Sequence, residues 1–286
     1  MAHAIDQDAL SPELAAKWRR LLERLGGLDS LLVSFSGGVD SALLLAAAVQ
    51  ALGDRAQAAL CVGAFTQAWE ASRARALARE LGVELHERDL DELAHPEVAA
   101  NDTQRCYFCK RLRFSALQDL AAELGLAAMA EGSQLDDDQD FRPGNRAKQE
   151  LGVLSPLAEA GLNKAEVRAL SRALGLPTAD IPPAACLASR VPYGTRLSAE
   201  TLERIEKAEA GLRGLLSGNL RVRDHYPIAR VELEPGELAE ALAEPLRGRI
   251  LEAVKAAGYE YVALDMEGYR MGGGQNPVEA ENPDVA

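Results

Sequence analysis

The chain is short of several things, and each shortage excludes a class of protein. No apolar run approaches the roughly 18 residues needed to read a membrane span, so no membrane partner is expected. The opening Met-Ala-His-Ala-Ile-Asp-Gln-Asp lacks the basic and then apolar pattern of a secretory signal, and a cytoplasmic location is expected. Positive charge is scarce: 31 Lys and Arg stand against 44 Asp and Glu, a net charge of -13, and no nucleic-acid partner is expected because phosphate backbones are bound through neutralising cations. Four cysteines in a reducing compartment are expected to be ligands, nucleophiles or core residues and not disulfides. There is no Gly-x-x-x-x-Gly-Lys-Ser/Thr string, which argues against transfer of a γ-phosphate on a P-loop.

What is present begins at Leu31 to Leu45, where a short apolar run, a glycine turn and a run of helix formers predict a buried strand, a tight turn and a helix. Gly37 and Gly38 permit backbone conformations closed to other residues and let a ligand approach, and Ser36 and Ser41 add hydroxyls. The unpaired amides and dipole of the following helix make the turn an anion site suited to phosphate. Around it, helical spacing is read over 11–25, 69–81, 101–124 and 163–174. Strands are read over 57–63, 83–89 and 127–131. Cys61, in the middle of a strand, reads as a buried small hydrophobe.

Cys106 and Cys109 fall three apart in the first turns of a helix capped by Asp102 or Thr103, where thiolates are favoured. A lone Cys-x-x-Cys fits a redox pair, half a zinc site, part of an iron–sulfur site or chance. No second such pair exists, so a four-cysteine zinc site is not expected. The acidic run Asp136 to Asp138 reads either as a solvated loop or, at the end of a parallel strand, as a magnesium or substrate contact. Cys186 stands beside Arg190 in a loop bracketed by prolines, and reads as a reactive thiol or as a packed one. From Ser198 the pattern becomes helix, two strands, helix and strand, a small α+β domain. Arg221 and Arg223 alternate on one strand face and Arg270 follows the last strand; they either clamp a phosphate or balance surface charge. The expected domains are 1–185, 186–272 and a disordered tail from 273 to 286.

The string Ser36-Gly-Gly-Val-Asp-Ser41 resembles the PP-loop of the ATP pyrophosphatases, which split ATP between its α and β phosphates. Together with Arg105 to Lys110, Asp136 to Gly144, Cys186-Leu-Ala-Ser-Arg-Val-Pro-Tyr-Gly194, Arg221 to Arg223 and Gly268 to Arg270, it makes the chain similar, over almost its whole length, to the sulfurtransferases that build the nickel-pincer cofactor of lactate racemase. The resemblance implies a doubly wound α/β fold with a parallel sheet of the adenine nucleotide α-hydrolase type and a second, smaller α+β domain.

It also implies a reaction: ATP and Mg²⁺ adenylate a carboxylate of pyridinium-3,5-biscarboxylic acid mononucleotide, and sulfur then replaces AMP. By resemblance Ser34, Ser36, Gly37, Gly38, Val39, Asp40, Ser41 and Gly132 bind ATP, with Asp40 near the magnesium. Cys186 carries the sulfur, Arg221, Arg223 and Arg270 grip the substrate phosphate, and Glu209 and Glu232 are candidates for positioning or proton transfer. Cys106, Cys109 and Cys186 are the candidate ligands of a 4Fe-4S cluster, the alternative being sacrifice of the Cys186 sulfur. A homo-oligomer, with a hexamer as one form, is a further implication. The chain departs from the expected Gly-Thr-Asn at Gly132-Ser133-Gln134. Competing readings are a PP-loop tRNA thiolase, an ammonia-using synthetase and a non-catalytic nucleotide-binding or iron–sulfur module.

Overall fold

Ser11 accepts a hydrogen bond from Leu14 N and starts helix α1 (Pro12–Gly26), whose Leu14, Trp18, Leu21 and Leu25 are buried. There follow β1 (Leu31–Ser34), α2 (Val39–Leu52), β2 (Ala56–Gly63), α3 (Ala68–Leu81), β3 (Leu85–Leu90), α4 (Pro96–Ala99), α5 (Arg105–Glu123), β4 (Ala128–Ala130), α6 (Leu135–Gln139), α7 (Pro143–Glu150), α8 (Pro156–Glu159) and α9 (Lys164–Ala173). The chain continues through α10 (Ala199–Arg213), β5 (Leu220–His225), β6 (Ile228–Leu233), α11 (Leu238–Ala241), α12 (Leu246–Ala256) and β7 (Tyr261–Leu264). This computed structural model describes Ile5 and residues 10–139, 143–182 and 185–270. The expectation of a disordered tail falls outside the described residues.

The chain divides into two units, one of residues 1–90 and 106–184, the other of residues 91–105 and 185–286. Segment 91–105, which sequence alone assigns to the larger domain, groups with the smaller one. Its side chains explain this: Asn101 and Arg105 hydrogen-bond to backbone of residues 188–195.

In the larger unit the four strands are parallel and ordered β3-β2-β1-β4. Alternation along the strands separates two cores. Leu31, Val33, Ala58, Leu60 and Ala130 pack with α1, α2, α3 and α9, whereas Leu32, Ala59, Cys61 and Met129 pack with Phe114, Leu117 and Leu120 of α5. Helices therefore cover both faces of the sheet, as expected, and Cys61 is a core residue with 6% exposure. Helix α2 is buried on nearly all sides, from Val39 to Ala48. Strand order reverses direction at β1, so the crevice at the carboxyl ends of β1 and β4 is the ligand position of a doubly wound sheet.

The smaller unit has a three-stranded sheet ordered β5-β6-β7, antiparallel between β5 and β6 and parallel between β6 and β7. Val222, Ala229 and Val231 face Ala208 and Leu212 of α10 and Ile250 and Val254 of α12. Register pairs Arg221 with Glu232 and Arg223 with Arg230. The acidic run Asp136 to Asp138 lies on the short helix α6 and not in a loop. A polar helix of this length has little periodicity to reveal it.

Candidate active site

The glycine turn leaves β1 at Ser34, whose register partner is Ala59, and enters α2 with Gly38 as N-cap. Gly37 has φ +71, in the left-handed region, and a Cβ there would lie 2.9 Å from the Cα of Ala74 in α3. Both facts demand glycine. Ser36 and Ser41 brace the turn: their hydroxyl oxygens are 3.2 Å apart, Ser41 Oγ donates to Gly38 O at 3.2 Å, and Ser36 Oγ accepts from Gly38 N at 3.4 Å. The first bond of the helical ladder is Ala42 N to Gly38 O. The amides of Val39, Asp40 and Ser41 precede it and carry the positive end of the helix dipole. Gly37→Ala is expected to lower stability by at least about 1 kcal/mol through its left-handed backbone alone, before the clash with Ala74 is added. A thermal melt checks this, and an unchanged midpoint would contradict the geometry.

Sequence reading misses what surrounds Asp40. Lys164, the first residue of α9, places Nζ 2.5 Å from Asp40 Oδ2, while its backbone N–H donates to Asp136 Oδ2 at 3.0 Å. The signal was present in part, because Asn163 and Glu166 form a capping box that fixes the start of α9. Asp40 Oδ1 is buried without a hydrogen-bond partner. Burial raises the Asp40 carboxyl above the ordinary carboxylate range, the Lys164 contact opposes this, and the negative Asp137 adds to it. A buried carboxylate oxygen of this kind suits a divalent cation that takes its other ligands from nucleotide phosphates and water. Gly132 has a packing reason of its own: a Cβ there would lie 2.9 Å from Ser41 N and 3.2 Å from Asp40 Cβ. Next to it Glu131 is buried, accepts from Ser133 and Ser155 at 2.7 Å each, and lies 3.8 Å from the Lys148 ammonium.

In the smaller unit Cys186 is exposed and caps a single 3-10 turn, Leu187–Arg190. The fully buried Arg190 donates to the carbonyls of Ala185 and Cys186, at 2.6 and 3.0 Å, and forms a two-pronged pair with Glu209 at 2.8 and 3.1 Å. Glu209 also accepts from Arg213 at 3.1 Å and from Val222 N at 3.1 Å. Losing one partner of such a buried pair costs about 3–5 kcal/mol. Glu209, a candidate for proton transfer from sequence, thus sits in a saturated ion pair that anchors the Cys186 loop. Glu232 is likewise held by Arg223, at 2.9 Å to each oxygen, and by Arg230 at 3.1 Å, while Arg223 also donates to Ser189 O at 2.8 Å.

Arg221 and Arg223 are buried, which removes surface charge balancing as their role. Arg221 stacks over the Tyr269 ring at 5.0 Å. Burial, and then the charge of Arg190, hold its guanidinium below the ordinary value, with Arg223 acting in the same direction. Arg270 is exposed and pairs with Glu267.

Cys106 and Cys109 lie at the second and fifth positions of α5, both half-buried. Asp102 accepts from Gln104 N at 2.7 Å just ahead of the helix. Among the described residues no group of three or more His, Cys, Asp or Glu side chains is arranged to hold a metal ion. No helix among them is long and apolar enough to cross a membrane.

A family model for NAD synthase matches residues 17–135, the part that carries the glycine turn and β1 to β4. The chain is 39% identical over 259 residues to an uncharacterised protein of Synechocystis sp., covering 91% of this chain and 97% of that one. It is 36% identical over 260 residues to the pyridinium-3,5-bisthiocarboxylic acid mononucleotide synthase of Lactiplantibacillus plantarum, covering 91% and 94%. It is 30% identical over 243 residues to a tRNA-specific 2-thiouridylase of Azorhizobium caulinodans, covering 70% of this chain and 62% of that protein. A glycine turn at the switch point of a parallel sheet, and two relatives matched over more than nine-tenths of both chains, lead to one assignment: the chain belongs to the PP-loop family of ATP-dependent sulfurtransferases that includes pyridinium-3,5-bisthiocarboxylic acid mononucleotide synthase.

Proposed function

We propose that the enzyme adenylates a carboxylate of pyridinium-3,5-biscarboxylic acid mononucleotide and exchanges the AMP for sulfur. The observation that carries the first step is the turn Ser36 to Ser41 with the unpartnered Asp40 Oδ1 beside it. A carboxylate oxygen attacks the α-phosphorus of ATP, the α–β bridge breaks, and pyrophosphate leaves with the electron pair. The amides of Val39 to Ser41 and the Lys164 ammonium stabilise the charge that develops on pyrophosphate, and Asp40 would hold Mg²⁺, which would neutralise phosphate charge when bound. In the second step a sulfur nucleophile adds to the acyl carbon and AMP departs, a far better leaving group than an oxide.

Sulfur is delivered at Cys186. Cys106, Cys109 and Cys186 are the thiolates that would hold a 4Fe-4S cluster, which when bound supplies an iron open to hydrosulfide. The support is chemical: the chain has two further thiols three residues apart at a helix start, where thiolates are favoured. The alternative consumes the Cys186 sulfur and leaves Cys106 and Cys109 as bystanders or as thiols that only reload sulfur.

Arg221, Arg223 and Arg270 bind the substrate phosphate. Arg221→Ala is expected to raise KM for the mononucleotide about 10-fold or more and leave KM for ATP within about twofold, the mark of lost ground-state binding to one substrate. Equal effects on both would move the substrate phosphate elsewhere. The relationship to a tRNA thiouridylase favours a second reading, thiolation of tRNA. The net charge of -13 weighs against it, and a thiolation assay with tRNA in place of the mononucleotide decides.

A further inference from the structure

We propose that Asn101 and Arg105 are positioning residues of the sulfur-delivery loop, a role that rests on the reading of Cys186 given above. Asn101 is fully buried and has φ +56, a left-handed conformation that asparagine tolerates better than most residues. Its carboxamide nitrogen donates to Pro192 O at 2.9 Å and Thr195 O at 3.0 Å, with Val191 O at 3.4 Å. Its own carbonyl accepts from Gly194 N at 3.0 Å. Its carboxamide oxygen accepts from Arg105, which is 2% exposed, donates in turn to Ala188 O at 3.0 Å, and lies over the Tyr193 ring at 5.4 Å.

These bonds engage the backbone on the far side of Cys186 from the ones Arg190 makes. Arg190 holds the carbonyls of residues 185 and 186, Arg223 holds that of 189, Arg105 holds that of 188, and Asn101 holds residues 191 to 195. Segment 185–195, whose one regular element is the 3-10 turn Leu187–Arg190, is thereby held on both sides of its thiol. The two residues belong to the smaller unit with the loop they hold. Their contribution should therefore appear in the transfer of sulfur and not in adenylation, because a donor displaced by about 1 Å loses on the order of 100-fold in rate.

The test uses Asn101→Asp and Arg105→Lys in the full-length protein. Aspartate keeps the left-handed backbone and the acceptor for Arg105, but turns a second oxygen toward three carbonyls. Lysine keeps the charge and loses the planar fork. In both variants, substrate-dependent pyrophosphate release is expected to stay within about twofold while thiocarboxylate formation falls about 100-fold. Amide exchange over residues 185–195 should quicken at least about tenfold, with the strands of the larger unit unchanged. A parallel fall of both chemical steps, or unaltered exchange, would overturn the proposal. If Asn101→Asp does not melt cooperatively, Arg105→Lys decides alone. If the wild-type protein gives no thiocarboxylate from this mononucleotide, the substrate reading fails, and the exchange measurement, which needs neither ATP nor substrate, still decides the positioning.

Discussion

Gly38→Val is expected to reduce ATP-dependent pyrophosphate release at least about 100-fold, the scale of losing preorganised donors to a developing oxyanion, while leaving the protein folded. The separation of these two effects comes from the backbone. Gly38 has φ -80 and ψ 167, open to any residue, and the atom nearest a new Cβ is Ser36 Oγ at 3.4 Å, an ordinary contact. The valine methyls would instead occupy the space in front of the α2 amides, where a phosphate oxygen must come. Gly37, one residue earlier, offers no such separation because its own conformation requires glycine. Pyrophosphate release measured beside a thermal melt checks the pair. A folded Gly38→Val variant that releases pyrophosphate at the wild-type rate would place the phosphate site away from the turn.

The second large effect concerns sulfur. Cys186→Ser is expected to abolish thiocarboxylate formation below detection while adenylation continues, because the exposed Cys186 is in the smaller unit and the glycine turn in the larger. Turnover then separates the two sulfur sources. If Cys106, Cys109 and Cys186 act together, protein reconstituted without oxygen from iron and sulfide makes product in excess of enzyme, its intact mass is unchanged, and Cys106→Ala or Cys109→Ala loses bound iron together with multiple turnover. If Cys186 is consumed, product never exceeds enzyme, the mass falls by one hydrogen sulfide, and the two α5 variants still complete a single turnover. Intact-mass spectrometry after the reaction distinguishes the outcomes.

Much of the larger unit was legible because its constraints are local. A buried strand, a left-handed glycine and a helix start are written within the few residues from Leu31 to Leu45, and strand alternation already marks Cys61 as a core residue. The capping box at Asn163 is likewise contained in four residues. The smaller unit showed its strands by the same alternation, although Arg221 and Arg223 gave no sign of being buried.

Tertiary structure alone decided which distant groups meet. Asp40 and Lys164 are 124 residues apart, and Asn101 lies 91 residues before Pro192. Composition tells that a buried charge or amide must find a partner, since leaving it unsatisfied is costly, but many residues qualify and only chain topology selects one. For the same reason Glu209 and Glu232 look like free acids in the sequence and are ion-paired in the fold. The sequence by itself determined the glycine turn and the inventory of thiols, because these depend on backbone conformation and residue type. Tertiary structure decided that segment 91–105 braces the Cys186 loop and that Gly132 rests on the amide of Ser41, because side-chain hydrogen bonds and close backbone contacts depend on where the fold brings remote segments together.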